Sequence, residues 1–131
     1  MAKKPDAKRK FIQLSEGEKT YAMSRAVVQG DWCFVSGTVG YDNNSGELPE
    51  SVAQQAQNTF ANIMAALNAA GFELGHTIRV QYTVSDRKYV EEVLPVLRKH
   101  FGAILPAATM VIAEMVDARM KIEIEVTCFK G

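Results

Sequence analysis

SVAQQAQNTFANIMAALNAAGFELGHTIRVQYTV, residues 51–84, joins the clearest helix signal of the chain to its clearest strand signal. Val52, Ala56, Phe60, Ile63, Leu67 and Ala70 recur at steps of three and four, so one stripe of an α-helix carries them all. Ser51 with Gln54 reads as a capping box, and Gly71 stands where a helix ends. Then the period changes. Ile78, Val80, Tyr82 and Val84 alternate with Arg79, Gln81, Thr83 and Ser85, the repeat of a strand with one buried face.

Upstream, Ser24–Gln29 and Trp32–Val39 flank Gly30-Asp31, a two-residue turn of the kind that closes a β-hairpin. Residues 11–14 suit a short strand, followed by a turn-like Ser15-Glu16-Gly17-Glu18, and residues 42–46 (DNNSG) form a loop. Downstream, a second helix is expected over about residues 87–101, capped by Ser85 or Asp86 and ended by Gly102. Pro95 falls inside it and predicts a kink or a late start. Two strands close the chain. In one, Val111, Ala113 and Met115 alternate with Ile112 and Glu114; in the other, Ile122, Ile124, Val126 and Cys128 alternate with Glu123, Glu125 and Thr127. This order predicts an α/β (α+β) fold, a sheet covered on one face by two helices. Met110, Ile112 and Phe129 are expected on the uncovered face, and an exposed apolar face predicts a homo-oligomer.

A chain of 131 residues accommodates one domain, set here at residues 11–131 after a flexible basic tail over residues 1–10 with Lys3, Lys4, Lys8, Arg9 and Lys10. Fifteen basic residues balance fifteen acidic ones, which weighs against a nucleic-acid partner. No apolar run reaches the length of a membrane span, so no membrane partner is expected and the expected compartment is the cytoplasm. Cys33 and Cys128 lie in separate apolar runs and read as reduced core residues. Phosphate-loop, dinucleotide and nucleophile-elbow motifs are missing, and His76 and His100 have no companions at ligand spacing. Neither metal nor cofactor is expected.

The ordered set Ser24-Arg25-Ala26-Val27, Gly30-Asp31, Phe34-Val35-Ser36-Gly37, Gly46-Glu47, Gln54-Gln55-Ala56 with Asn62, Ala69-Ala70-Gly71, Phe101-Gly102, Leu105-Pro106-Ala107 and Lys121-Ile122-Glu123-Ile124-Glu125 resembles the Rid (reactive intermediate deaminase) family. That family is also called YjgF and is often labelled endoribonuclease L-PSP. The resemblance implies a chorismate-mutase-like mixed sheet with two helices on one face, a trimer, and small-molecule clefts between subunits. It implies hydrolysis of enamines or imines, with an arginine gripping the substrate carboxylate and a glutamate positioning a water.

By the same resemblance Ser36 and Gly37 match the family's Ser-Gly, and Glu123 matches the glutamate. The arginine position is Ala108. A cysteine position is Met110, a tyrosine position Met23 and an asparagine position Leu94. Four polar or aromatic cleft groups have become small or apolar together, so the pocket is expected to be more apolar and to have lost its small-carboxylate selectivity. Arg25 is a candidate replacement grip; Tyr21 shares its strand parity, and Arg119 is a further candidate read as a surface-turn residue. Ser36-Gly37 also has a plain packing explanation, and Glu123 that of an exposed strand residue. Two functions compete: a small-molecule binder or C–N hydrolase with altered specificity, and a non-catalytic interaction protein that keeps only the scaffold. Ribonuclease activity finds little support in a neutral chain without an evident acid–base pair.

Overall fold

The computed structural model describes residues 8–131. The chain runs through β1 (Lys10–Ile12), α1 (Glu16–Thr20), β2 (Ala26–Gln29), β3 (Trp32–Thr38), α2 (Val52–Ala70), β4 (Thr77–Val84), α3 (Val90–Phe101), β5 (Ala107–Ile112) and β6 (Ile122–Phe129). The basic tail falls largely on residues 1–7, outside the described residues, and Lys10 pairs with Val28 as the first residue of β1.

The described residues form one mixed six-stranded sheet, in the order β1-β2-β3-β6-β4-β5. Only β4 and β5 run parallel, because α3 carries the chain across between them. Alternate residues of the inner strands (Ala26, Val28, Cys33, Val35, Val80, Tyr82, Val84, Ile122, Ile124, Val126 and Cys128) pack on the apolar stripes of α2 and α3 as one core. All six residues of the stripe read from residues 52–70 are buried. Cys33 and Cys128 sit opposite each other on β3 and β6, both free, and burial pushes the Cys33 thiol up to about 11. Reduced core residues are what that environment favours.

The helix ends follow local chemistry. The Ser51 hydroxyl accepts from the Gln54 amide and Gly71 adopts φ 81°, but the Gln54 side chain turns to Asn58. Half of the expected capping box therefore forms. Asp86 caps a 3-10 turn over Arg87–Tyr89, and α3 starts only at Val90, which places Pro95 inside the helix after a late start.

Three expectations need correction. The turn-like residues 15–18 open a short helix, because Ser15 and Glu18 satisfy each other's backbone donors in a capping box. Ile78 is exposed: a register shift between Thr77 and Arg79 inserts it as an extra residue, which breaks the alternation. The fifth strand lies at Ala107–Ile112, earlier than the alternation over residues 111–115 suggests, with Met110 opposite Tyr82 and Ile112 opposite Val84. Both therefore share the helix side of the sheet. The apolar surface on the open face is built from Trp32, Phe34 and Phe129, with the Trp32 ring stacked 6.2 Å from Phe34 and tilted 4.6 Å from Phe129.

Candidate active site at the Gly37 bulge

β3 and β6 lose register between Val35 and Thr38. Val35 pairs with Val126 and Thr38 with Ile124, so Ser36 and Gly37 together face the single residue Glu125. A two-against-one bulge of this kind re-aims side chains at a sheet surface. Ser36 stabilises it from within: its amide donates to the Arg25 carbonyl at 3.0 Å and its hydroxyl to the Ser24 carbonyl at 2.7 Å. The Thr38 hydroxyl donates to the Ser36 carbonyl at 2.7 Å.

Glu123 reaches this bulge from β6. It lies between the buried Ile122 and Ile124, so strand alternation turns it to the open face. Its carboxyl group rests against Gly37, where a Cβ would come within 2.7 Å of Cδ and Oε1. Burial raises the proton affinity of Glu123; the Glu125 charge adds to the rise, and the Arg25 charge opposes it. A half-buried carboxyl with raised proton affinity is suited to moving a proton to or from a bound molecule.

Arg25 brings the cation. Its Nη1 donates to the Gly37 carbonyl at 3.1 Å and to Thr38 Oγ1 at 3.2 Å, while Nη2 lies 3.9 Å from the Met23 sulfur. Met23 is fixed in turn by its amide on the Glu18 carbonyl and by its own carbonyl, which accepts from Gln13. Glu18 is itself buried. Desolvation works against its charge, but the Ser15 hydroxyl, the Leu14 and Ser15 amides and the Arg25 charge together hold its carboxyl below the usual range.

The sequence-predicted residues thus divide. Ser36, Gly37, Glu123, Arg25 and Met23 come together at the bulge. Ala108 lies opposite the buried Val80 on edge strand β5, Met110 packs on the core beside Tyr82, and Leu94 packs on it from α3. Within one protomer these three are on the helix side of the sheet, away from Glu123. Tyr21 is the exposed C-cap of α1, beyond the start of β2, so the strand parity expected for it does not apply. Arg119 pairs with Asp117 in an exposed turn, as its surface reading held.

The chain matches the family model described as Endoribonuclease L-PSP over residues 16–129. It belongs to that family, the Rid or YjgF family. A 2-iminobutanoate/2-iminopropanoate deaminase of Rattus norvegicus is 29% identical over 125 residues, covering 94% of this chain and 91% of the relative. A RutC family protein of Pyrococcus horikoshii is 29% identical over 108 residues, covering 82% of this chain and 86% of the relative. The crystal structure of a YjgF/YER057c/UK114 family member from Mycobacterium tuberculosis superposes with a TM-score of 0.84 at 29% identity, covering 93% of this chain and 99% of that one. The fold is the mixed α+β sheet of the YjgF type.

The Rid scaffold also holds a row of amides on α2, of which the sequence reading named Gln55 and Asn62 in the family pattern without giving them a role. Gln55, fully buried, donates to the carbonyls of Pro49 and Arg119 and accepts from the Lys121 amide. Asn58 donates to the Gly40 carbonyl, and Asn62 to those of Val39 and Tyr41. These bonds tie the segment after β3 and the entry to β6 to one helix, which fixes Gly37 relative to Glu123. Their spacing of three and four residues puts them on one face of the helix, a signal that the reading of the apolar stripe did not use.

Proposed function

We propose that this Rid-family chain hydrolyses the C=N bond of a small imine, or of the enamine in equilibrium with it, at a cleft around Gly37 and Glu123 that copies of the chain complete in a homo-oligomer, as a trimer. The observation carrying this reading is the Glu123 carboxyl, half-buried and raised in proton affinity, lodged where Gly37 leaves room beside it. In the reaction a water oxygen bonds to the imine carbon, the C–N bond breaks, and ammonia leaves a carbonyl compound. The Glu123 carboxylate takes a proton from the attacking water and delivers it to the departing nitrogen, so no net proton is consumed. The deaminase name of the rat relative supports this chemistry. The separation of Ala108 and Met110 from Glu123 within one protomer supports a site that needs a second copy.

Altered specificity is the second element. Ala108 offers no charge, while Met110 and Leu94 are apolar and packed on the core, so none of the three side chains offers a substrate a charge or a hydrogen-bond donor. The test is ammonia release from an imino acid generated in place by an amino-acid oxidase, in wild type, Glu123→Gln and Ala108→Arg. Acceleration by wild type that Glu123→Gln removes supports the reading. Equal rates for both, at or near the uncatalysed rate, favour the non-catalytic interaction protein.

A further inference from the structure

The Met23 thioether is the acceptor that faces the free edge of Arg25. Nη1 of the guanidinium donates to the Gly37 carbonyl at 3.1 Å and to Thr38 Oγ1 at 3.2 Å, which fixes the plane of the group. Nε is buried with no acceptor among the described residues, and Nη2 lies 3.9 Å from the Met23 sulfur. Thioether sulfur accepts weakly, and a buried charged donor left in this condition is costly. Neither neighbouring carboxylate relieves it. Glu18 takes its hydrogen bonds from Leu14 and Ser15, and Glu123 acts on Arg25 through charge alone. Met23 cannot drift away, because its amide donates to the Glu18 carbonyl at 2.8 Å and its carbonyl accepts from Gln13 at 3.0 Å. Its side chain is half-buried, so a molecule as small as a peroxide reaches the sulfur.

We propose that Met23 is a site of reversible oxidation, and that the Nε–Nη2 edge of Arg25 holds the sulfoxide so formed. The oxidant is hydrogen peroxide. Its O–O bond breaks, one oxygen bonds to the Met23 sulfur, and the other leaves as water with both protons. Sulfur gives up two electrons and the peroxide takes them, and methionine sulfoxide reductases reverse the change. The product replaces a weak acceptor with a strong one. An oxygen carried on that sulfur brings the acceptor from 3.9 Å toward the about 2.9 Å of an N–H···O bond, and the parallel Nε–H lies along the same edge. Oxidation of a packed methionine ordinarily destabilises, because a polar group enters an apolar place. Here it satisfies a donor that the reduced chain leaves orphaned, and it ties the segment before β2 through Arg25 to Gly37 and Thr38. The inference stands on Arg25 and Met23 and is independent of whether Glu123 hydrolyses an imine.

The experiment is a peroxide titration of the full chain, with peptide mass spectrometry to locate the oxidised methionines and proton–nitrogen NMR to read the Arg25 Nε–H. Conversion of Met23 should shift that resonance and slow its exchange with water about tenfold, the scale of one charge-assisted hydrogen bond. Reductase treatment should restore both, and Met23→Leu should show neither change. Met23→Gln carries an amide oxygen in place of the sulfoxide oxygen, so it should melt about 3 °C or more above Met23→Leu, and Arg25→Lys should abolish that advantage. The proposal is overturned if Met23 stays unoxidised when the exposed Met64 is fully converted. An Nε–H unmoved by Met23 conversion, the result expected if a water serves Nε, also overturns it, as does the same shift in Met23→Leu. So does an advantage of Met23→Gln that Arg25→Lys leaves intact. Should Arg25→Lys fail to fold, the first comparison decides, and Met23→Leu melting at or above Met23→Gln overturns the proposal.

Discussion

The carboxyl group of Glu123 occupies the space that a Cβ on Gly37 would need, with Cδ and Oε1 both 2.7 Å from that position. The crowding involves the far end of a flexible side chain and no backbone, so Gly37→Ala should move Glu123 rather than unfold the sheet. Thermal melting should record a loss below about 2 kcal/mol, while ammonia release falls as far as in Glu123→Gln. A large loss of stability with full activity would assign Gly37 to strand packing alone.

Gly40 supplies the contrast. A Cβ there would meet the Gln55 carbonyl oxygen at 2.2 Å, and that atom belongs to the helix backbone. Gly40→Ala must separate α2 from the segment following β3, so a cost of about 3 kcal/mol or more is expected in denaturant titration. If Gly40→Ala proves as mild as Gly37→Ala, α2 shifts more readily than its amide bonds indicate.

The pH behaviour of Glu123 follows from its neighbours. Burial first, and Glu125 second, raise its proton affinity against the pull of Arg25. The native state then holds this proton more tightly than the unfolded chain does. Its contribution to stability is greatest below the usual carboxylate range and declines as pH rises through and above that range. Glu123→Gln escapes the penalty, so its melting temperature should gain on wild type as pH rises through and above the usual carboxylate range. Hydrolysis that uses the ionised form as base should rise with pH, with an inflection above the ordinary carboxylate value. Arg25→Gln should move that inflection up and Glu125→Gln should move it down. A profile that ignores both changes would remove Glu123 from the proton transfer.

Much of the scaffold was legible because periodicity reports burial directly. The 52–70 stripe and the final strand carry their core side on every expected residue, and β2 and β3 pair antiparallel around Gly30-Asp31. The failures have local causes. Ile78 is displaced by a bulge, a one-residue insertion that leaves no mark on composition. β5 is an edge strand, and with little of it buried its alternation carries little information; its side was misread at Met110 and Ile112. Glu123, Ser36 and Gly37 could be named from the family pattern, and Arg25 was reached only as a substitute for the missing arginine. Its anchoring by Gly37 and Thr38 depends on the β3 bulge, which three-dimensional register alone discloses.

Gln55 tests whether the amide row holds the site. Its side chain satisfies the carbonyls of Pro49 and Arg119 and the amide of Lys121 from a fully buried position. Gln55→Leu keeps the volume and strands those three backbone groups. The expected loss is about 3 kcal/mol, seen as a lower denaturation midpoint with an unchanged slope. An unchanged midpoint would mean that water replaces the side chain at no cost.

Trp32, Phe34 and Phe129 form a continuous aromatic surface on the open face, 40%, 47% and 38% exposed in the isolated protomer. The sheet core lies on the other side, at Cys33, Val35 and Cys128, so Phe34 contributes little to folding the single chain. Three neighbouring rings exposed together are expensive in water and form the kind of anchor that dominates subunit association. Phe34→Glu should therefore leave circular dichroism unchanged and weaken association by about thirtyfold or more, corresponding to a central contact worth about 2 kcal/mol. Sedimentation velocity across a dilution series reads this directly. If ammonia release falls in step with the loss of oligomer, the site needs groups from a second copy. If release survives in the monomer, Glu123, Gly37 and Arg25 of one chain suffice, and the position of Ala108 on the far side of the sheet ceases to matter.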